Sequence, residues 1–197
     1  MMVMAPLSLP VRWARPVDGD DHIFRFGSHV ASLIPGLPGV YARRAYYVTV
    51  LPRCGRDVTI EFGTIFAQRD TQIGSGVYIG AFCNIGMCRI GDNVLLGSNV
   101  DIVSGRRVHF SSDPEIPIRD QGGRLEKISI GEGSWLGNRS IVLADVGRHA
   151  VVGAGAVLID PCADYSVNVG NPAHTTRNRR EQLGAVPEEQ LRRARSA

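Results

Sequence analysis

The chain has 197 residues, a formal net charge of +3 and a hydrophobic fraction of 44%. That length suits one domain with a sizeable core, and so small a charge, with no basic patch interleaved with aromatic residues, argues against nucleic acid as a partner. The 23 glycines fit a fold with many tight corners.

Residues 1–52 read as an N-terminal pre-domain. Met1 to Pro10 has no positively charged start and is broken by Pro6 and Pro10, so no secretory signal is expected and the chain reads as cytoplasmic. Val30 to Leu51 is apolar, yet Pro35, Pro38, Arg43 and Arg44 argue against a membrane span. Gly39 to Val50 places Tyr41, Tyr46 and Tyr47 beside two arginines. Two readings of this stretch stay open: it packs on the structure that follows, which is the simpler, or it rests peripherally on a membrane surface.

From Ile73 an aliphatic residue returns about every six positions, at Ile73, Ile79, Ile85, Ile90, Leu96 and Ile102, and glycine follows each of them but the last. Each aliphatic residue is expected to point inward, together with a small or apolar residue four later, at Val77, Cys83, Val94 and Val100. Glycine after the aliphatic residue is expected to supply positive φ at a turn. Three such units close one triangular coil, and coils stacked at strand spacing bury the face that no coil buries alone. The period therefore points to a β-solenoid. The ladder stops after Ile102, resumes at Ile130 and runs through Val152 to Leu158. Residues 53–177 are thus expected to form the solenoid domain. The interruption at 104–129, rich in polar residues, proline and glycine, reads as a projecting loop. Residues 178–197 form a basic tail, with a short helix expected near Pro187 to Arg193. Cys54, Cys83, Cys88 and Cys162 include no Cys-x-x-Cys pair and read as reduced thiols.

Three features together resemble the hexapeptide-repeat acyltransferases: the repeats; Ile-Gly-Glu-Gly-Ser-Trp-Leu-Gly (130–137) directly after a histidine-containing loop; and Val151 to Leu158 followed by Tyr165-Ser-Val and Gly170-Asn-Pro-Ala173. The resemblance covers about residues 54–177 and is nearest to the maltose and galactoside O-acetyltransferase branch and to acetyltransferases of polysaccharide biosynthesis. It implies an all-β, left-handed parallel β-helix. It also implies a homotrimer with sites between protomers, acetyl-coenzyme A as donor, a carbohydrate acceptor and no metal.

A sugar hydroxyl is a poor nucleophile at neutral pH, and direct attack on a thioester needs a base; histidine suits that task. Of five histidines only His109 lies in the loop, at the place where the family carries its base. His109 follows Ile102 by seven positions rather than the family's usual five or so, with Arg106 and Arg107 between. Those arginines are candidates for contacting an anionic acceptor. Asn84 matches the amide residue that positions the acceptor, and Asp101 is a further polar candidate. On the donor side the resemblance assigns Trp135 to the wall of the groove. Gly137 or Asn138 would give a backbone N–H for the oxyanion, and Ala154 and Gly155 would lie along the pantetheine arm. Asn171, Pro172 and Arg177 fall towards the nucleotide, with Arg179 and Arg180 as alternative phosphate partners. Ile159-Asp160 stands where relatives carry Thr-Lys, and His174 where they carry a basic residue, so the usual cation is missing. Three other readings remain: a metal-dependent lyase on this fold, which needs three histidines on adjacent coils; a non-catalytic scaffold, which needs neither His109 nor the Asn-Pro-Ala turn; and acetylation of an antibiotic or other small molecule.

Overall fold

The structure is a computed structural model and describes residues 21–182. From Arg53 onward the chain winds in left-handed coils of three short strands. The first coil holds β1 (Arg53–Cys54), β2 (Thr59–Ile60) and β3 (Ile65–Phe66); the second holds β4 (Gln72–Ile73), β5 (Tyr78–Ile79) and β6 (Asn84–Ile85). The third has β7 (Cys88–Ile90), β8 (Leu95–Leu96) and β9 (Asp101–Ile102), and the fourth β10 (Ile128–Ile130), β11 (Trp135–Leu136) and β12 (Ile141–Val142). In the fifth, β13 (Val151–Val152) and β14 (Val157–Leu158) follow a single bridge at Val146. A last, partial coil starts at a bridge on Cys162 and ends in the antiparallel pair β15 (Ser166–Gly170) and β16 (Ala173–Asn178).

Stacking makes three parallel sheets. The first face runs β1-β4-β7-β10, the second β2-β5-β8-β11-β13-β15-β16, and the third β3-β6-β9-β12-β14. The register puts like on like: Ile60, Ile79, Leu96, Leu136 and Val152 form one inward column, and Phe66, Ile85, Ile102, Val142 and Leu158 another. All ten are fully buried, and each such side chain contributes roughly 1.5–3 kcal/mol on leaving water. Val77, Cys83, Val94 and Val100 are buried with them.

The corner glycines act differently from the expectation. Positive φ falls not on the glycine that follows the aliphatic residue but two positions later, at Gly76, Asn93, Asn99, Gly133, Arg139 and His149. The first glycine is required by close stacking: a Cβ on Gly97 would lie 2.7 Å from Asn138 N, and one on Gly137 2.5 Å from Ala154 N. Adjacent coils touch backbone to backbone at these corners. The first face also resumes at Ile128, two residues before the aliphatic residue that restarts the repeat, because Ile128 and Ser129 pair with Cys88 and Arg89.

The open end of the first coil is closed by two helices, α1 (His22–Ser32) and α2 (Gly36–Val50). Asp21 caps α1 by accepting from Phe24 N at 3.1 Å and pairs with Arg69 of the first coil at 2.6 Å. Phe24, Tyr46, Tyr47 and Phe66 form a chain of ring contacts between helices and coil. Ser28 joins them, its hydroxyl lying 2.8 Å from the Tyr47 hydroxyl and accepting from Phe66 N at 2.9 Å. Arg43 is wholly buried, and its guanidinium donates to the carbonyls of Ile60 (2.7 Å), Ile34 (2.7 Å) and Ala31 (3.4 Å). One side chain thus fastens both helices to β2. The Gly39 to Val50 stretch packs on the first coils, as the simpler reading held, while Tyr41 stays exposed. Among the described residues no helix is long and apolar enough to cross a membrane. The helix expected near Pro187 lies outside the described residues, which end in a 3-10 turn, Arg179–Gln182.

Replacing Arg43 with Met removes the donor from three carbonyls and should lower unfolding free energy by on the order of 3 kcal/mol, read by urea denaturation. All four cysteines are free thiols, and burial pushes the Cys88 thiol up from 9.0 to about 12. The unfolded chain ionises first, so stability should hold below about pH 9 and fall as pH rises towards 12. Urea midpoints at a series of alkaline pH values should show that loss, and Cys88→Val should make it shallower.

Candidate active site

The loop between β9 and β10 is built as a stalk. At its root the buried Ser104 accepts from Met87 N at 2.8 Å through its hydroxyl, and its carbonyl accepts from Glu126 N at 2.8 Å. Further out Arg124 N donates to Arg107 O (2.7 Å) and Phe110 N to Gly122 O (3.0 Å). The two arms, 104–110 and 122–126, are therefore zipped by backbone bonds. His109 stands exposed between the last two rungs. No side chain among the described residues hydrogen-bonds its ring, so the stalk backbone sets its position. Gly123 is the residue that lets the arms close: a Cβ there would overlap Val108 O and lie 3.1 Å from the His109 Cα. Beyond the stalk, Gln121 ties the loop tip by donating to the carbonyls of Asp113 (2.8 Å) and Ile116 (2.7 Å).

Asn84 and Asp101 sit side by side on the third face, at matching positions of β6 and β9. The Asn84 amide donates to the Asp101 carboxylate at 3.1 Å. Because β9 ends at Ile102, this pair lies at the root of the stalk. Arg107 is exposed. Arg106, expected at the acceptor, is instead bound to Asp160 through Nη1–Oδ1 at 2.7 Å. Asp160 follows β14, two coils beyond the stalk root, so the pair draws the outgoing arm along the solenoid. The cation missing from position 160 is thus supplied next to it by the loop. Both side chains are mostly exposed, so the pair orients more than it stabilises.

Trp135 projects from β11 on the second face, between Leu95 and Val151. With Tyr78 it completes an outward apolar column in which Tyr78, Leu95 and Trp135 are 41%, 45% and 48% exposed. Gly137 cannot serve as an oxyanion donor, because its N–H is bonded to Val152 O at 2.7 Å in the coil stack. Asn138 differs. Its side-chain oxygen caps Ser98 N (3.0 Å) and its carbonyl takes Gly155 N (2.9 Å), but its own N–H has no partner among the described residues. The stacked position above it is Ala154, which has no side-chain oxygen to cap that N–H. Gly155, at φ +69, faces open space. Asn138, Ala154 and Gly155 therefore form a shallow floor of small groups with one free donor.

Asn171 and Pro172, joined by a cis peptide, form the exposed turn between β15 and β16, and Arg177 projects exposed from β16 opposite Val167. They lie at the far end of the solenoid. Arg179 and Arg180 fold back on a different corner. Arg179 donates to His149 O at 2.6 Å, the His149 and Tyr165 rings stack with centroids 5.1 Å apart, and the Arg180 guanidinium lies 3.9 Å from the Tyr165 centroid. The chain pattern gave no hint of this stack, nor of Gly123 or the Arg106–Asp160 pair, since none follows the repeat. Among the described residues no group of three or more His, Cys, Asp or Glu side chains is gathered to hold a metal ion.

No family model matches the sequence. The chain is 34% identical over 149 residues to "Probable acetyltransferase Rv3034c" of Mycobacterium tuberculosis, a match covering 64% of this chain and 49% of that protein. It therefore spans about half of that relative's length. A dTDP-4-amino-4,6-dideoxy-D-glucose acyltransferase of Escherichia coli is 29% identical over 139 residues, 66% of this chain and 72% of that one. Among solved structures, a maltose O-acetyltransferase from Clostridium difficile superposes with a TM-score of 0.64 at 19% identity, over 80% of this chain and 89% of that one. A variant of AntD, an N-acyltransferase from Bacillus cereus in complex with dTDP-4-amino-4,6-dideoxyglucose and coenzyme A, gives 0.57 at 21% identity over 70% and 78%. The fold is that of the left-handed β-helix transferases. The relatives by sequence are acetyltransferases and an acyltransferase, and the repeat register of this chain is that of the hexapeptide-repeat fold.

Replacing Gly123 with Val should push Val108 and His109 aside and open the stalk. Limited proteolysis should then cut within 104–126 at least roughly tenfold faster, with the coil fragments as resistant as before.

Proposed function

We propose that this protein transfers an acetyl group from acetyl-coenzyme A to a hydroxyl of a carbohydrate acceptor, with His109 as general base. The reading rests on the stalk, which holds an exposed imidazole beyond the Asn84–Asp101 pair while the Asn138 N–H is left free beside Gly155. His109 removes the acceptor proton as its oxygen attacks the thioester carbonyl. The new C–O bond forms and the C–S bond breaks; the proton passes from His109 to the departing thiolate, so no covalent enzyme intermediate is needed. Asn138 N–H would stabilise the oxyanion, and Asn84 with Asp101 would orient the sugar. Trp135, Ala154 and Gly155 would line the donor arm, with Asn171, Pro172 and Arg177 towards its nucleotide. Arg106, held by Asp160, is placed to position the loop rather than the acceptor.

The apolar column of Tyr78, Leu95 and Trp135 supports a homotrimer, in which a neighbouring protomer covers this face and completes the donor groove. Free thiols and the coenzyme A donor fit the cytoplasm, and acetylation of a surface polysaccharide precursor fits a sugar acceptor. A second reading, acylation of an amino sugar, is favoured by the dTDP-aminosugar acyltransferase relative. The chemistry is the same with nitrogen as nucleophile.

Thiol release from acetyl-coenzyme A should be measured against free sugars, nucleotide-linked sugars and their amino counterparts. His109→Ala should lower transfer by about 10²- to 10⁴-fold. Near-normal turnover would remove His109 from its role, and no release with any acceptor would favour the scaffold.

A further inference from the structure

We propose that the corner where the chain folds back over the last coils is a binding site for a sugar phosphate, independent of the proposed transfer. A cavity of about 380 Å³ opens there, and its described walls are His149, Tyr165, Arg179 and Arg180. That volume lies at the small end of the range for small-molecule sites, about 300–1,000 Å³. The corner stands between the first and second faces, whereas Asn138, Ala154 and Gly155 stand between the second and third. Coil stacking brings its residues together. Gly133, His149 and Tyr165 hold the same place in three successive coils, and the N–H of each is bonded to the coil before it. The turn Arg179–Gln182 then returns past them, with Arg179 N donating to Tyr165 O at 2.8 Å and Arg179 Nη1 to His149 O at 2.6 Å.

At this corner the ring faces are taken and the polar edges are not. A Cβ on Gly133 would overlap the His149 ring, so that ring lies flat on the coil before it. The Tyr165 ring stacks on His149 with an interplanar angle of 24°, and the Arg180 guanidinium covers Tyr165. No face is left on which a nucleobase could stack. Yet among the described residues the Tyr165 hydroxyl, the His149 ring nitrogens and the Arg180 guanidinium have no hydrogen-bond partner, and the Arg179 guanidinium uses only Nη1. The adjoining carboxylate is occupied: Asp164 accepts from Arg148 N at 2.8 Å and from Arg148 Nε and Nη2 at 3.0 and 2.9 Å. Two guanidiniums, a phenol and an imidazole thus line the cavity with donors to spare. A phosphate monoester matches them, because its oxygens accept from guanidinium and hydroxyl together. The polar walls suit a hydroxyl-bearing sugar as its remainder, and the covered rings disfavour an aromatic one.

Titration calorimetry of the full chain should show binding of glucose 1-phosphate, weaker binding of inorganic phosphate and none of glucose, with affinity falling at high salt. AMP should bind no more tightly than inorganic phosphate. Arg180→Gln should lower the affinity for glucose 1-phosphate at least about tenfold. Tyr165→Phe keeps the ring that His149 packs on, and should lower it about threefold or more at unchanged melting temperature and unchanged affinity for coenzyme A. Absence of glucose 1-phosphate binding by the unaltered chain overturns the inference, as does full affinity in both variants. AMP binding more tightly than glucose 1-phosphate overturns it in favour of a nucleotide. A parallel loss of coenzyme A affinity in Arg180→Gln overturns it in favour of the donor's own phosphate. Every readout is binding, so failure of the proposed transfer leaves the test intact.

Discussion

Everything in this molecule depends on the backbone of each coil bonding to the next while identical inward positions stack. Ile60 lies under Ile79, Leu96, Leu136 and Val152, and the strand N–H groups above each reach the carbonyls of the neighbouring coil. The coils approach so closely at their corners that only glycine fits at Gly97 or Gly137. Such a stack has no natural end. The first coil is therefore covered by α1 and α2 and the last by the antiparallel β15–β16 pair, which replaces the parallel pairing that a further coil would supply.

A rigid frame of this kind turns an interruption into a tool. The chain between β9 and β10 leaves at one fixed corner and returns to the same corner one coil later, so its two arms start close together and zip through backbone bonds. Such support fixes where an exposed side chain stands, because His109 lies between two backbone rungs of the stalk and no side chain among the described residues holds its ring. Nearby, the rules that make the stack regular also make its exceptions useful. Side chains such as Asn138 and Asp92 cap the N–H of the coil beneath, and where Ala154 occupies the capping position one N–H is left over.

Charged groups serve to join parts that the repeat does not join. Arg43 ties the helix pair to β2 through carbonyls alone, Asp21 and Arg69 fasten the start of α1, and Arg106 with Asp160 links the stalk to the fifth coil. The first is buried and structural; the last is exposed and directional.

The solenoid, its inward residues and the place of its interruption were legible in the residues, because neighbours in a coil stack are related by a fixed spacing and the pattern repeats. His109 was legible for a related reason, as the one histidine in the break. The role of the corner glycines was misread as backbone freedom, since a contact between coils leaves the same mark in the sequence as a turn. The Arg106–Asp160 pair, the need for glycine at 123, the commitment of the Gly137 N–H and the buried station of Arg43 were not legible. Arg106 and Asp160 are 54 positions apart with no period between them, and a hydrogen bond already taken leaves no trace in composition. Sequence alone thus determined the repeat and the residue types available for chemistry; the tertiary structure decided which donors are free, which charges are paired and which faces are left uncovered, because those depend on what packs against each group in space.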